Sequence, residues 1–153
     1  MGFNLLGVAP EDEKGEDFSN NVWSWYPLWF YVCQTCSDIL TETEMEQGRW
    51  NNGYRLNKKK SAKIASRLFD LIESGAVHKE VVEFNKKRSD MPLETCSKCN
   101  GTGIIEDKYY TGKCNGCNGK GKRQPPEAWY DFEEDNVLEF AEFCRDSGGF
   151  YIG

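Results

Sequence analysis

The chain has 153 residues, 29% of them charged and 14% aromatic, with seven cysteines, 15 glycines and a net charge of −6. That length suits one domain of about 100–150 residues, or one with a small appended module, and excludes a large barrel or two full α/β domains. The aromatic content argues against disorder, no apolar run approaches the ~20 residues of a membrane span, and the start MGFNLLGVAPEDEKGED lacks a signal peptide's basic flank and apolar stretch. A cytoplasmic protein without membrane contact is the expectation.

Residues 1–17 read as a polar, glycine-containing lead-in. The stretch FSNNVWSWYPLWFY then concentrates aromatics, and Pro27 stands where it can open a helix that runs through Leu28, Val32, Cys36 and Ile39 to about Glu44. Gly48 to Gly53 is a turn region. In NKKKSAKIASRLFDLIESG, residues Ala62, Ala65, Leu68, Phe69 and Ile72 recur at helical spacing, with Asn57 as cap and Gly75 as left-handed stop. Val77, Val81 and Phe84 mark a further helix that ends before Pro92. From Glu94 to Arg123 glycine, cysteine, asparagine and lysine dominate, too little apolar surface for a core of its own. The last pattern, DFEEDNVLEFAEFCRDSGGF, is an acidic-start helix with Val137, Phe140, Ala141 and Cys144 on one face and Gly148 as stop.

Six of the seven cysteines form CxxC pairs, which in a reducing compartment points to metal before disulfides. Cys96-Ser-Lys-Cys99-Asn-Gly101-Thr-Gly103 and Cys114-Asn-Gly-Cys117-Asn-Gly119-Lys-Gly121 are two copies of CxxCxGxG. Two intervening residues let both sulfurs of a tight turn reach one ion, and the span from Cys99 to Cys114 suffices for a hairpin that joins the pairs. The prediction is one structural zinc ion held by Cys96, Cys99, Cys114 and Cys117, a closed site with no position for a reactive water. The glycines allow positive φ and close approach of N–H groups to sulfur.

These repeats resemble the cysteine-rich zinc module of DnaJ-type chaperones, where such repeats pair into zinc sites and contribute to handling client proteins. The resemblance covers residues 96–121 only. Two repeats stand here where a full module has four, and the His-Pro-Asp tripeptide of a J-domain is missing, so co-chaperone activity is not implied. The segments GEDFSNNVWSWYPLWFYV and NVLEFAEFCRDSGGF look like a family of small proteins of bacteria and their phages, a likeness that implies no particular activity.

Charge is segregated along the chain: −8 over residues 1–48, +6 over 49–90, +3 over 91–123 and −7 over 124–153. One reading is intramolecular, with the acidic ends folding beside the basic middle. The other is a phosphate site at Lys58, Lys59, Lys60 and Lys63, which Lys86, Lys87 and Arg88 could extend. Cys33 and Cys36 form a third CxxC; they either join Cys144 and His78 in a second metal site or act as small buried apolar residues. Redox use of the CxxC pairs lacks a surrounding strand-helix-strand context. His78 reads as a surface or capping residue. The tryptophans read as core, with Trp25 or Trp50 partly exposed for contact.

Together these features predict a mainly α domain over 1–93 and 124–153, into which residues 94–123 insert a small β-hairpin zinc module. No P-loop, GxGxxG, HExxH or GxSxG occurs. The functional expectation is a non-catalytic zinc-binding protein that engages a protein partner, with Lys98, Lys120 and neighbouring aromatics as contacts. The alternatives are nucleotide or nucleic-acid binding through residues 55–88, or thiol redox chemistry.

Overall fold

The structure is a computed structural model that describes residues 2–51 and 53–153; Asn52 of the expected turn lies outside the described residues. The chain divides into two compact units, residues 1–85 with 130–153, and residues 86–129.

The first unit is built on a sheet that the helical reading did not anticipate. Gly2–Gly7 (β1) pairs with Asp17–Asn21 (β2) on one side and Phe150–Ile152 (β8) on the other, and Arg55–Leu56 (β3) adds to β8. All pairings are antiparallel. Alternation puts Phe3, Leu5, Leu56, Phe150 and Ile152 inward and fully buried, while Leu6 and Tyr151 face out. The expected lead-in is therefore a central strand. The described residues are 46% helical and 17% strand, so the class is mixed α/β rather than mainly α. Non-local pairing is the reason: β1 has no partner within its own neighbourhood except β2.

Among the described residues five α-helices accompany the strands: Val22–Thr35 (α1), Glu42–Gln47 (α2), Lys58–Glu73 (α3), Ala76–Ser89 (α4) and Glu134–Asp146 (α5). α1 begins six residues earlier than Leu28 and stops well before Glu44. Asn21 caps it by accepting the Ser24 N–H at 3.0 Å, and Pro27 lies inside it rather than at its opening. Proline has no N–H for the carbonyl four residues back; that carbonyl, of Trp23, accepts instead from the Asp131 N–H at 3.1 Å. The vacancy left by the proline is filled from a distant part of the chain. α2 starts anew through a capping box in which Thr41 and Glu44 satisfy each other's backbone N–H groups.

α3 follows its pattern closely, with Asn57 accepting from the Lys60 N–H at 2.8 Å and Gly75 at φ +84°. Its buried face is Ser61, Ile64, Ala65 and Leu68; Ala62, expected there, is exposed. Ser61 can be buried because its hydroxyl donates to the Cys144 carbonyl of α5 at 2.7 Å. α5 buries Val137, Phe140, Ala141 and Cys144 as its spacing predicts, and ends before Gly148 at φ +68°.

The core is aromatic. Trp25 stacks on Phe3 at 5.3 Å and on Trp29 at 5.4 Å, and meets Phe140 edge-on at 5.8 Å. Phe140 and Phe143 continue the chain of contacts to Phe18 and Phe150. Both indole N–H groups reach the C-terminal end of α2: Trp25 donates to the Gly48 carbonyl and Trp29 to that of Met45, each at 2.9 Å. A Cβ at Gly48 would strike the Trp29 indole. Alanine ordinarily improves helical backbone by about 0.5–1 kcal/mol over glycine. Here the opposite sign is expected: Gly48→Ala destabilises by about 1–3 kcal/mol, measured as a lower urea midpoint with an unchanged slope.

Candidate metal centre

The second unit contains four short strands, Glu94–Thr95 (β4), Ile104–Glu106 (β5), Thr111–Lys113 (β6) and Lys122–Arg123 (β7), paired β4 with β7 and β5 with β6. Each CxxCxGxG copy forms the loop between two of these strands. The backbone contacts around the cysteines of the first copy recur in the second, displaced by 18 residues. The Cys96 N–H donates to the Gly121 carbonyl and the Cys114 N–H to that of Gly103, both at 2.9 Å. The Gly101 and Gly119 N–H groups return to the carbonyls of Cys96 and Cys114. The module is thus an internal duplication with local two-fold character, and the predicted hairpin, β5 to β6, is the connection between its halves.

The backbone of these loops demands its residues. Asn100 and Asn118 adopt φ of +53° and +55°, the left-handed region that asparagine tolerates better than most. At Gly103 a Cβ would lie 2.5 Å from the Gly119 carbonyl oxygen, and at Gly121 the same distance from that of Gly101. The second and fourth glycines therefore let the two loops touch, a function of the motif in addition to the approach to sulfur.

That approach is also present: the Gly103 N–H donates to Cys99 Sγ and the Gly121 N–H to Cys117 Sγ, each at 3.2 Å. The four sulfurs are buried and lie within 4.8 Å of one another. Cys96 and Cys114 are 3.9 Å apart and Cys99 and Cys117 3.7 Å, too far for disulfides. A tetrahedron with Zn–S bonds near 2.3 Å has edges of about 3.8 Å. The donor set thus fits one tetrahedral metal ion of the zinc type. Burial pushes the Cys99 thiol up, but the Gly103 N–H, the Cys117 sulfur and the Gly101 N–H outweigh it and bring the group down to about 6. The Cys99 and Lys98 N–H groups likewise lower Cys96, whereas burial raises Cys114.

Four thiolates on a divalent ion carry about −2 of net charge. Residues 86–129 hold nine basic and five acidic residues. That surplus is opposite in sign to the charge of such a centre. The Lys98 stem lies over Gly116 and its ammonium donates to Asn115 Oδ1 at 2.5 Å, while Lys113 lies over Gly119. Lys120 is exposed. The hairpin tip carries Tyr109, 87% exposed, and Tyr110. Their turn is held by Asp107 Oδ1, which accepts both tyrosine N–H groups at 2.7 Å. Composition drew attention to the lysines of this module; the exposed tyrosines carry no such signal.

The other predicted site residues lie in the first unit. Lys58 meets Glu11 at 3.4 Å and Lys60 pairs with Glu44, while Lys59 and Lys63 are exposed. The first two pairs bring the acidic head against the basic middle, so the four lysines do not form one open cationic face. Trp25 is fully buried, contrary to expectation, because the unforeseen sheet covers it; Trp50 is 54% exposed.

Cys33, Cys36, Cys144 and His78 do not gather. Among the described residues Cys96, Cys99, Cys114 and Cys117 form the only cluster able to hold a metal. His78 stands exposed with Nδ1 3.3 Å from the Glu134 carboxylate. Burial raises all three remaining thiols, Cys33 to about 12. Among the described residues no helix is long and apolar enough to cross a membrane.

No family model, curated protein or solved structure matches the chain. The likeness to DnaJ-type modules is therefore one of motif, confined to the residues that surround the sulfurs.

Purified without chelator, the protein is expected to carry one zinc per chain by elemental analysis. Cys99→Ser loses it, and acidification releases it progressively because each thiolate must take up a proton. A zinc content unchanged by that substitution would exclude this centre.

Proposed function

We propose that the chain is a non-catalytic zinc-binding protein whose metal module presents a contact surface to a protein partner. The observation that carries this reading is the closed, buried four-sulfur centre beneath an exposed aromatic tip. Four cysteine ligands complete a tetrahedral ion and leave no position for substrate or water. What the metal supplies when bound is rigidity: it fixes two loops too poor in apolar residues to hold themselves. On that frame Ile104 and Tyr109 are 61% and 87% exposed, a pairing of aliphatic and aromatic surface that favours protein contact. The motif likeness to chaperone zinc modules points the same way, without the J-domain that an ATP-driven partner would need.

The thiols outside the module agree with this reading, since burial raises all three, the opposite of the shift a reactive thiol needs. The nucleic-acid alternative has less behind it, because Lys58 and Lys60 already face carboxylates.

Site-specific photocrosslinking from position 110 in cells, followed by mass spectrometry, tests the proposal. One recurrent protein partner is expected, lost on Tyr109→Ala or Cys99→Ser and insensitive to nuclease. A capture pattern unaffected by both substitutions reduces the module to a staple. Capture abolished by nuclease or by moderate salt instead favours the basic-segment alternative.

A further inference from the structure

The first unit carries a second feature that the metal centre does not explain. Between α1 and α2 runs a groove of about 740 Å³, within the range of ligand sites. Tyr26, Phe30 and Cys33 line the α1 side at positions i, i+4 and i+7 of a single helical stripe. Glu42, Glu46 and Arg49 line the other side at the same spacing, together with Trp50. Phe30 is 68% exposed and Trp50 54%. Either alone would be an ordinary surface residue. Together on one groove they make an aromatic site with carboxylates beside it.

The groove is held open by the core. The indole N–H groups of Trp25 and Trp29 bind the carbonyls of Gly48 and Met45, and Gly48 sits directly against the Trp29 ring. Moving α2 off α1 would break two hydrogen bonds in a largely dry setting. A site held in this way binds without first ordering itself.

Charge identifies what it accepts. Glu42 has no ion-pair partner among the described residues. Glu46 accepts from the Trp50 indole at 3.2 Å and lies 3.5 Å from Arg49, a contact in which both side chains are more than half exposed. Such a pair is weak and exchangeable. The lining is net negative, and residues 1–85 with 130–153 hold 20 acidic against ten basic residues. Phosphate-bearing ligands are disfavoured there, whereas an ammonium or guanidinium gains both a carboxylate and the exposed aromatic surface of Phe30 and Trp50. The volume exceeds what one such group needs, and the apolar stripe offers room for further side chains.

We propose that this groove binds a peptide segment in which an apolar or aromatic side chain adjoins a lysine or arginine. The inference rests on the reading of the chain as a protein-binding one, but on a different surface from the metal module.

The test uses the full-length, zinc-loaded protein and three synthetic hexapeptide amides: a Leu-Phe-Lys-Arg core, its charge-reversed Leu-Phe-Glu-Glu counterpart, and a version with norleucine at both charged positions. Tryptophan fluorescence and calorimetry follow the titrations at low and high salt. The basic peptide is expected to bind, more weakly at high salt, and the charge-reversed one not at all. Trp50→Ala and Phe30→Ser each weaken it by about tenfold or more; both residues are exposed, and circular dichroism verifies the fold. Glu42→Gln with Glu46→Gln abolishes the preference for the basic peptide over the norleucine one. Equal binding of basic and charge-reversed peptides, no binding of the basic peptide at millimolar concentration, or indifference to Trp50→Ala and Phe30→Ser overturns the proposal. Cys99→Ser separates the two readings: crosslinking at the hairpin is lost while peptide binding in the groove persists.

Discussion

Trp25 is the contact on which the first unit depends. One face of its ring lies on Phe3 of β1, Trp29 of the same helix stacks alongside, Phe140 of α5 abuts its edge, and its N–H holds the carbonyl of Gly48 after α2. Sheet, long helix, last helix and short helix thus converge on one side chain. An indole suits this position because it combines a large apolar body with a single donor that must find a partner when buried. The Gly48 carbonyl is that partner, and the absence of a side chain at Gly48 lets Trp29 occupy the adjacent space. Packing and hydrogen bonding therefore select the same arrangement, which is what gives an aromatic core one structure rather than several.

The second unit depends on the opposite kind of constraint. It buries its four cysteines with Ile105 packed against them, a cluster too small to order so many glycines. Backbone carbonyls facing the positions of Gly103 and Gly121 show how tightly the loops already approach each other. A bound metal ion would supply the missing free energy, and the hydrogen bonds from Gly103 and Gly121 to sulfur would help to stabilise thiolate charge where burial opposes it. Duplication makes this economical in sequence: one short pattern, used twice, contributes both halves of the ligand set and both halves of the contact that closes them.

What could be read in advance follows from the range of the interactions. The metal loops were legible because sulfur spacing and glycine placement are local requirements. α3 was legible for the same reason, since Asn57, the apolar repeat and Gly75 lie within one stretch of chain. The sheet was not: β1 is a short alternation, β8 has three residues, and neither declares itself until residues 2–7 and 150–152 meet. Pro27 misled because a proline usually opens a helix, and the Asp131 N–H that substitutes for its lost bond comes from far along the chain. Trp25 was misjudged through the same omission, because its cover is the strand that local pattern could not reveal. The groove beside α1 was hidden for a related reason: the helix expected from Leu28 to about Glu44 breaks after Thr35, and only that break lets the chain from Glu42 onward fold back to face α1.

The division into two units changes the meaning of the net charge. The value of −6 combines a first unit with an excess of ten acidic residues and a second with an excess of four basic ones. Filling the metal centre adds about −2 to the second, so roughly half of its positive surplus is balanced internally. The first unit keeps its full excess, because pairs such as Lys58 with Glu11 and Lys60 with Glu44 are already counted within it. Screening confines such fields to about 8–10 Å at physiological salt. At that range the groups around each surface outweigh the sum: exposed tyrosines in the unit that holds the four-cysteine cluster, carboxylates beside exposed rings in the other.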